Sequence, residues 1–141
     1  MPGMKCDMAG SAGCLGAFQA AVQCGLSRPL HCVLCLAENA IGPGAVRNDD
    51  VLRLFSGKTV EINNTDAEGR LILADALAFA DEEQPEVLID MATLTGAHRV
   101  ALGTELPGVF TDDEALAAGL AAAGASVADH TWRLPLWKPY A

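Results

Sequence analysis

Apolar positions fall into a small set of periodic runs. Along residues 10–24, Leu15, Phe18, Ala21 and Val22 recur at the spacing of one helix face. Gly10, Gly13 and Gly16 sit three residues apart and leave a stripe of that helix without side chains. Glycine costs roughly 1 kcal/mol relative to alanine at a helix position, so the stripe predicts a close backbone approach. Gly25 is placed to end the helix, and Pro29 follows. Residues 30–37 (LHCVLCLA) and 86–94 (EVLIDMATL) are short, nearly continuous apolar runs, the pattern of strands buried on both faces. Residues 39–46 read as a loop from their Gly-Pro-Gly content. Residues 51–55 and 59–62 flank Ser56-Gly57-Lys58 and predict a hairpin. A polar turn at 63–69 leads into a helix over 71–80, and an alanine-rich helix covers 113–123 with acids in its first turn. The tail, 132–140, is aromatic and proline-bearing with no evident core partner. Helix, strand, hairpin, helix, strand, helix predicts an α/β fold: three layers, a mostly parallel sheet flanked by helices. A parallel strand is expected before the first helix and none is in the pattern, so the sequence reads as a piece of a larger domain.

Composition narrows the partners. The 141 residues fit one domain, and 9 basic against 18 acidic side chains give a net charge of −9. That charge repels nucleic-acid phosphates and anionic membrane surfaces. A hydrophobic share of 51% with 19% charged residues excludes global disorder. The mean hydropathy of +0.26 predicts apolar surface covered by another domain or subunit. No run approaches a membrane span, and residues 1–7 lack the apolar core of a signal peptide. Cys6, Cys14, Cys24, Cys32 and Cys35 lie in apolar or helical patterns and read as reduced, mostly buried thiols of a cytoplasmic protein. Cys32 and Cys35 would point to opposite faces of a strand, which is neither a zinc knuckle nor a redox pair. His31, His98 and His130 form no metal set by spacing, and the glycine stripe has the wrong spacing for a dinucleotide loop.

The chemistry concentrates at residues 63–70 (NNTDAEGR). Asp66, Glu68 and Arg70 alternate, which in an extended loop puts them on one side. Two carboxylates facing one point repel unless a cation lies between them, and hard oxygen ligands suit Mn²⁺, Mg²⁺ or Zn²⁺. An arginine beside such a centre can orient an anion or stabilise a developing oxyanion. The competing reading is a capping box, with Thr65 and Glu68 closing the start of the following helix. The two are compatible. Asp7 is either a third ligand or an acid at a helix N-terminus. Residues 93–96 (TLTG) follow a predicted buried strand at its C-terminal end, where open α/β sheets place ligands, or form a plain turn.

Three motifs, in order, resemble the leucyl (cytosol) aminopeptidase family, the M17 metallopeptidases. Residues 64–71 (NTDAEGRL), continued by 73–77 (LADAL), resemble its signature. Residues 4–8 (MKCDM) resemble a second ligand motif, and 90–97 (DMATLTGA) its substrate-cleft motif. Residues 132–136 (WRLPL) also match. The resemblance implies an aminopeptidase that uses two divalent cations, Mn²⁺ or Zn²⁺, to release leucine-like N-terminal residues from peptides. It implies Asp7, Asp66 and Glu68 as metal ligands, Glu68 bridging. It implies Arg70 as the catalytic arginine holding bicarbonate, and Met4, Thr93, Leu94 and Gly96 as lining for the substrate's first residue. It further implies a homo-oligomer, a hexamer in the family. The family's upstream lysine and aspartate ligands, its catalytic lysine, its N-terminal domain and the C-terminal end of its catalytic domain lie outside this sequence. The expectation for the chain alone is therefore weak metal binding without turnover; the alternative is an inactive module that only folds and assembles.

Overall fold

A computed structural model describes residues 2–38 and 42–140, in two compact units, Met1–Leu94 and Thr95–Ala141. Residues 39–41 of the predicted loop lie outside the described residues.

In the first unit, a 3₁₀ turn at Met4–Met8 runs into helix α1, Ala9–Gln23. The helix ends as predicted: Gly25 takes φ 78° and donates to the Val22 carbonyl at 3.0 Å, while Leu26 donates to Ala21 at 3.0 Å. These two bonds satisfy carbonyls that a helix end otherwise leaves open. The glycine stripe works at its first two positions. A Cβ on Gly10 would collide with the Met91 carbonyl oxygen, and one on Gly13 would touch Met91 Sδ at 3.6 Å, but Gly16 faces open space.

The hairpin forms from β1 (Val51–Arg53) and antiparallel β2 (Thr59–Glu61), with Leu52 opposite Val60. Its turn closes through Gly57 N–H to Leu54 O at 2.8 Å, with Gly57 at φ 82°. Helix α2, Glu68–Asp81, begins three residues earlier than the apolar pattern alone predicts. Two contacts fasten the hairpin to it. The Phe55 N–H donates to Asp75 Oδ1 at 2.8 Å, and the Phe55 and Phe79 rings meet edge-on at 5.8 Å.

The chain between β2 and α2 corrects the capping-box expectation. Asn64, not Thr65, is the cap: its Oδ1 accepts from Asp66 N–H at 3.0 Å and opens a 3₁₀ turn over Thr65–Ala67. Ala67 then precedes α2 with no side-chain cap. The extra turn moves Thr65 off the boundary at which a capping box would close.

In the second unit, α3 (Ala97–Leu102) and strand β3 (Gly108–Val109) precede α4, Glu114–Ser126. Asp113 caps α4, its Oδ1 accepting from Leu116 N–H at 2.9 Å. Strand β4 (Trp132–Arg133) pairs in parallel with β3, while the side chains of Trp132, Trp137 and Tyr140 stay exposed, so the tail's aromatics have no core partner among the described residues. His98 Nε2 accepts from Gly108 N–H at 2.6 Å, a structural role for that ring. Arg133 grips the Glu114 carboxylate through two bonds at 2.6 and 2.8 Å. The guanidinium's hydrogen bonds and charge hold the Glu114 carboxyl below its ordinary value.

The class is α/β, but the sheet is smaller than the pattern predicts. Residues 31–38 and 87–95 carry no strand assignment, and the described sheets are the two pairs β1–β2 and β3–β4. A buried parallel strand takes its ladder from neighbours on both sides, and no such neighbours are paired to these runs among the described residues. Burial departs from expectation for the same reason. Ile62 is the one buried apolar side chain among the described residues, while Leu15, Val22, Phe79 and Leu88 are exposed. The cysteines are free but not mostly buried: Cys6 and Cys24 are exposed, and Cys14, Cys32 and Cys35 half-buried. Partial burial pushes the Cys14 and Cys35 thiols up.

Two substitution pairs test these local causes by thermal unfolding. Gly10→Ala forces backbone against backbone and lowers Tm, since overpacking costs about 1–3 kcal/mol. Gly16→Ala meets nothing and raises Tm through helix propensity, by up to about 1 kcal/mol. Asn64→Ala removes a cap and costs about 1 kcal/mol, whereas Thr65→Ala changes Tm little. Equal losses at Asn64 and Thr65 contradict the cap assignment.

Candidate metal and substrate site

The site grows from the packing of the first unit. Gly10 lets the start of α1 lie on the Met91 main chain, which sets the 3₁₀ turn carrying Met4 and Asp7 beside residues 91–94. There the Thr93 hydroxyl faces two oxygens of Asp7: the main-chain carbonyl at 2.5 Å and Oδ1 at 3.1 Å. The next residue reaches the other motif, for a Cβ on Gly69 would sit 3.9 Å from Leu94 Cδ1. Thr93 and Leu94 thus touch both the Asp7 turn and the start of α2, where Glu68 and Arg70 lie.

Glu68 is half-buried, and its Oε2 is shut off from solvent without a hydrogen-bond partner among the described residues. An unpaired carboxylate oxygen out of water is costly, so such atoms are rare in folded proteins. In a capping box this carboxylate would accept from the Thr65 N–H, but the 3₁₀ turn over Thr65–Ala67 moves the start of α2 to Glu68 and no such bond forms. Asp66 is exposed, and its carboxylate makes no hydrogen bond among the described residues. Arg70 is exposed and forms no ion pair among the described residues. Asp7 is half-buried, and Met4 and Leu94 are each 47% exposed. Gly96 belongs to the second unit, Thr95–Ala141, and faces open space.

The donor chemistry suits a divalent cation: hard carboxylate oxygens, one of them orphaned. The coordination set is partial, however. Among the described residues no group of three or more His, Cys, Asp or Glu side chains is placed to hold a metal ion. Sequence reasoning missed two features. The Asn64 cap had a signal, since asparagine before a turn of this kind is a preferred N-cap. The Thr93–Asp7 bond had none, because it joins residues 86 apart. Among the described residues no helix is long and apolar enough to cross a membrane.

Known proteins similar to the chain identify its family. The family model described as the cytosol aminopeptidase family, catalytic domain, matches residues 1–141. A probable cytosol aminopeptidase of Nitratidesulfovibrio vulgaris is 55% identical over 139 residues, covering 98% of this chain and 27% of the relative. A probable cytosol aminopeptidase of Roseiflexus castenholzii is 49% identical, covering 99% of this chain and 29% of the relative. Leucyl aminopeptidase from Trypanosoma brucei, solved in complex with actinonin, superposes with a TM-score of 0.91 at 44% identity over 97% of this chain and 27% of that one. Cytosol aminopeptidase from Coxiella burnetii superposes with a TM-score of 0.82 at 45% identity, over 97% of this chain and 30% of that one. The chain therefore spans a little over a quarter of the length of these relatives. With the family model matched over residues 1–141 and its fold matched over nearly all its length, the chain belongs to the cytosol aminopeptidase family, within the catalytic domain.

Proposed function

We propose that this chain supplies the carboxylate side of a metal-dependent aminopeptidase centre that releases leucine-like residues from peptide N-termini. The observation that carries the reading is the shielded Oε2 of Glu68, unpartnered among the described residues, in a chain similar over nearly all its length to proteins named aminopeptidases. Asp7, Asp66 and Glu68 would hold Mn²⁺ or Zn²⁺ through their carboxylate oxygens. Bound cations would supply an activated water, a polarised scissile carbonyl and an anchor for the free α-amine.

The chain's own residues set the rest. Asp66 lies in the 3₁₀ turn Thr65–Ala67 and Glu68 in the first turn of α2, so two successive turns carry one acid each. Arg70 presents a guanidinium uncommitted among the described residues, suited to a planar bidentate anion such as bicarbonate or to charge developing on a carbonyl oxygen. Met4 and Leu94 offer apolar surface to the substrate's first side chain. The exposed apolar side chains, Leu15, Val22 and Leu88 among them, favour working in an assembly of like chains in the cytoplasm. The same surface is what an inactive assembly module would show, and metal binding separates the two.

Calorimetric titration with Mn²⁺ and Zn²⁺, repeated on Asp66→Ala/Glu68→Ala, is the test. The proposal expects weak but saturable binding whose heat disappears in the double variant. Binding untouched by the double substitution, or no heat with either ion, overturns it and leaves the assembly reading.

A further inference from the structure

We infer that Thr93 is a positioning residue for the Asp7 carboxylate, not only a wall of the substrate cleft. The inference rests on the metal-dependent reading for its consequence, but its geometry stands by itself. The Thr93 hydroxyl has one proton and two acceptors within reach, both on Asp7: the carbonyl oxygen at 2.5 Å and Oδ1 at 3.1 Å. A shared bond of this kind fixes the main chain of the 3₁₀ turn and the side chain it carries with one group. Among the described residues Asp7 Oδ2 has no hydrogen bond, so the carboxylate is held by one oxygen and left open at the other.

Among the described residues no other hydrogen bond or ion pair restrains that side chain. Asp7 sits in a 3₁₀ turn with no side-chain cap, and its partner comes from residue 93, on a segment that Gly10 holds in place. A free aspartate in this turn would sample several rotamers, and binding an ion would then have to select one of them. The hydroxyl makes that selection in advance. Groups that orient a metal ligand in this way change metal affinity by about 10–100-fold when removed. The methyl group of Thr93 has no part in it, so serine should serve and valine, of the same shape, should not.

The test uses Thr93→Val and Thr93→Ser in the full chain, read in two ways. In metal-free protein, NMR couplings report the Asp7 side-chain rotamer. One rotamer is expected in the wild type and Thr93→Ser, and averaging in Thr93→Val. In the Mn²⁺ titration, Thr93→Val should bind about 10–100-fold more weakly and Thr93→Ser close to wild type. On an Asp7→Ala background, Thr93→Val should change nothing further, because residues acting through one another are not additive. Averaging of Asp7 in the wild type overturns the inference, as does Thr93→Val binding Mn²⁺ as tightly as wild type, or serine failing along with valine. A wild type that ignores Mn²⁺ yet keeps a single Asp7 rotamer, lost in Thr93→Val, overturns the metal reading while supporting the clamp.

Discussion

A carboxylate oxygen shut away from water with nothing to bond is the constraint on which this structure turns. Glu68 Oε2 is in that position at the first residue of α2. Desolvation of a charged oxygen works against folding unless a positive partner returns the lost interaction. A helix N-terminus returns a little of it through the dipole. A cation returns far more, and the oxygens of Asp66 and Asp7 are the kind that would share it. Folding and ligand binding are then linked: an ion that binds only the folded chain stabilises it.

The surrounding architecture holds that carboxylate in a defined place. The edge-on Phe55 and Phe79 rings and the Phe55–Asp75 bond fasten the hairpin to α2, and Ile62, the buried apolar residue, lies just before the Asn64 cap. On the other side, the missing side chain of Gly10 brings α1 onto Met91, and residues 93–94 then span from Asp7 to Gly69. Each contact is modest alone. Together they bring a turn near residue 7 and a helix start near residue 68 to one two-residue bridge.

What could be read in the sequence follows the range of the interaction concerned. α1, its Gly25 ending, the hairpin with Gly57 and the acid-led α4 all rest on contacts within a few residues, and all are present. The central strands rest on distant neighbours. Apolar runs at 30–37 and 86–94 state a preference for burial, not a partner, and here neither is part of a ladder. The two-residue pairing of Gly108–Val109 with Trp132–Arg133 is too short to leave a periodic trace. At the site, the acid types and their spacing were visible, but the competition between Asn64 and Thr65 for the cap was settled by one extra 3₁₀ turn. That turn is what leaves Glu68 without a local partner. The Thr93 hydroxyl could not be anticipated, since any threonine in a loop reads the same until the chain that faces it is known.

The most direct measurement is the thermal unfolding of Glu68→Gln against wild type, with and without Mn²⁺. Glutamine keeps the shape and removes the carboxylate. The account predicts a higher Tm than wild type in metal-free buffer, and a rise in Tm with Mn²⁺ for the wild type that is absent in Glu68→Gln. A metal-free Glu68→Gln that is less stable than wild type, with an undiminished response to Mn²⁺, would mean that the carboxylate serves the fold and not an ion, and would contradict the account.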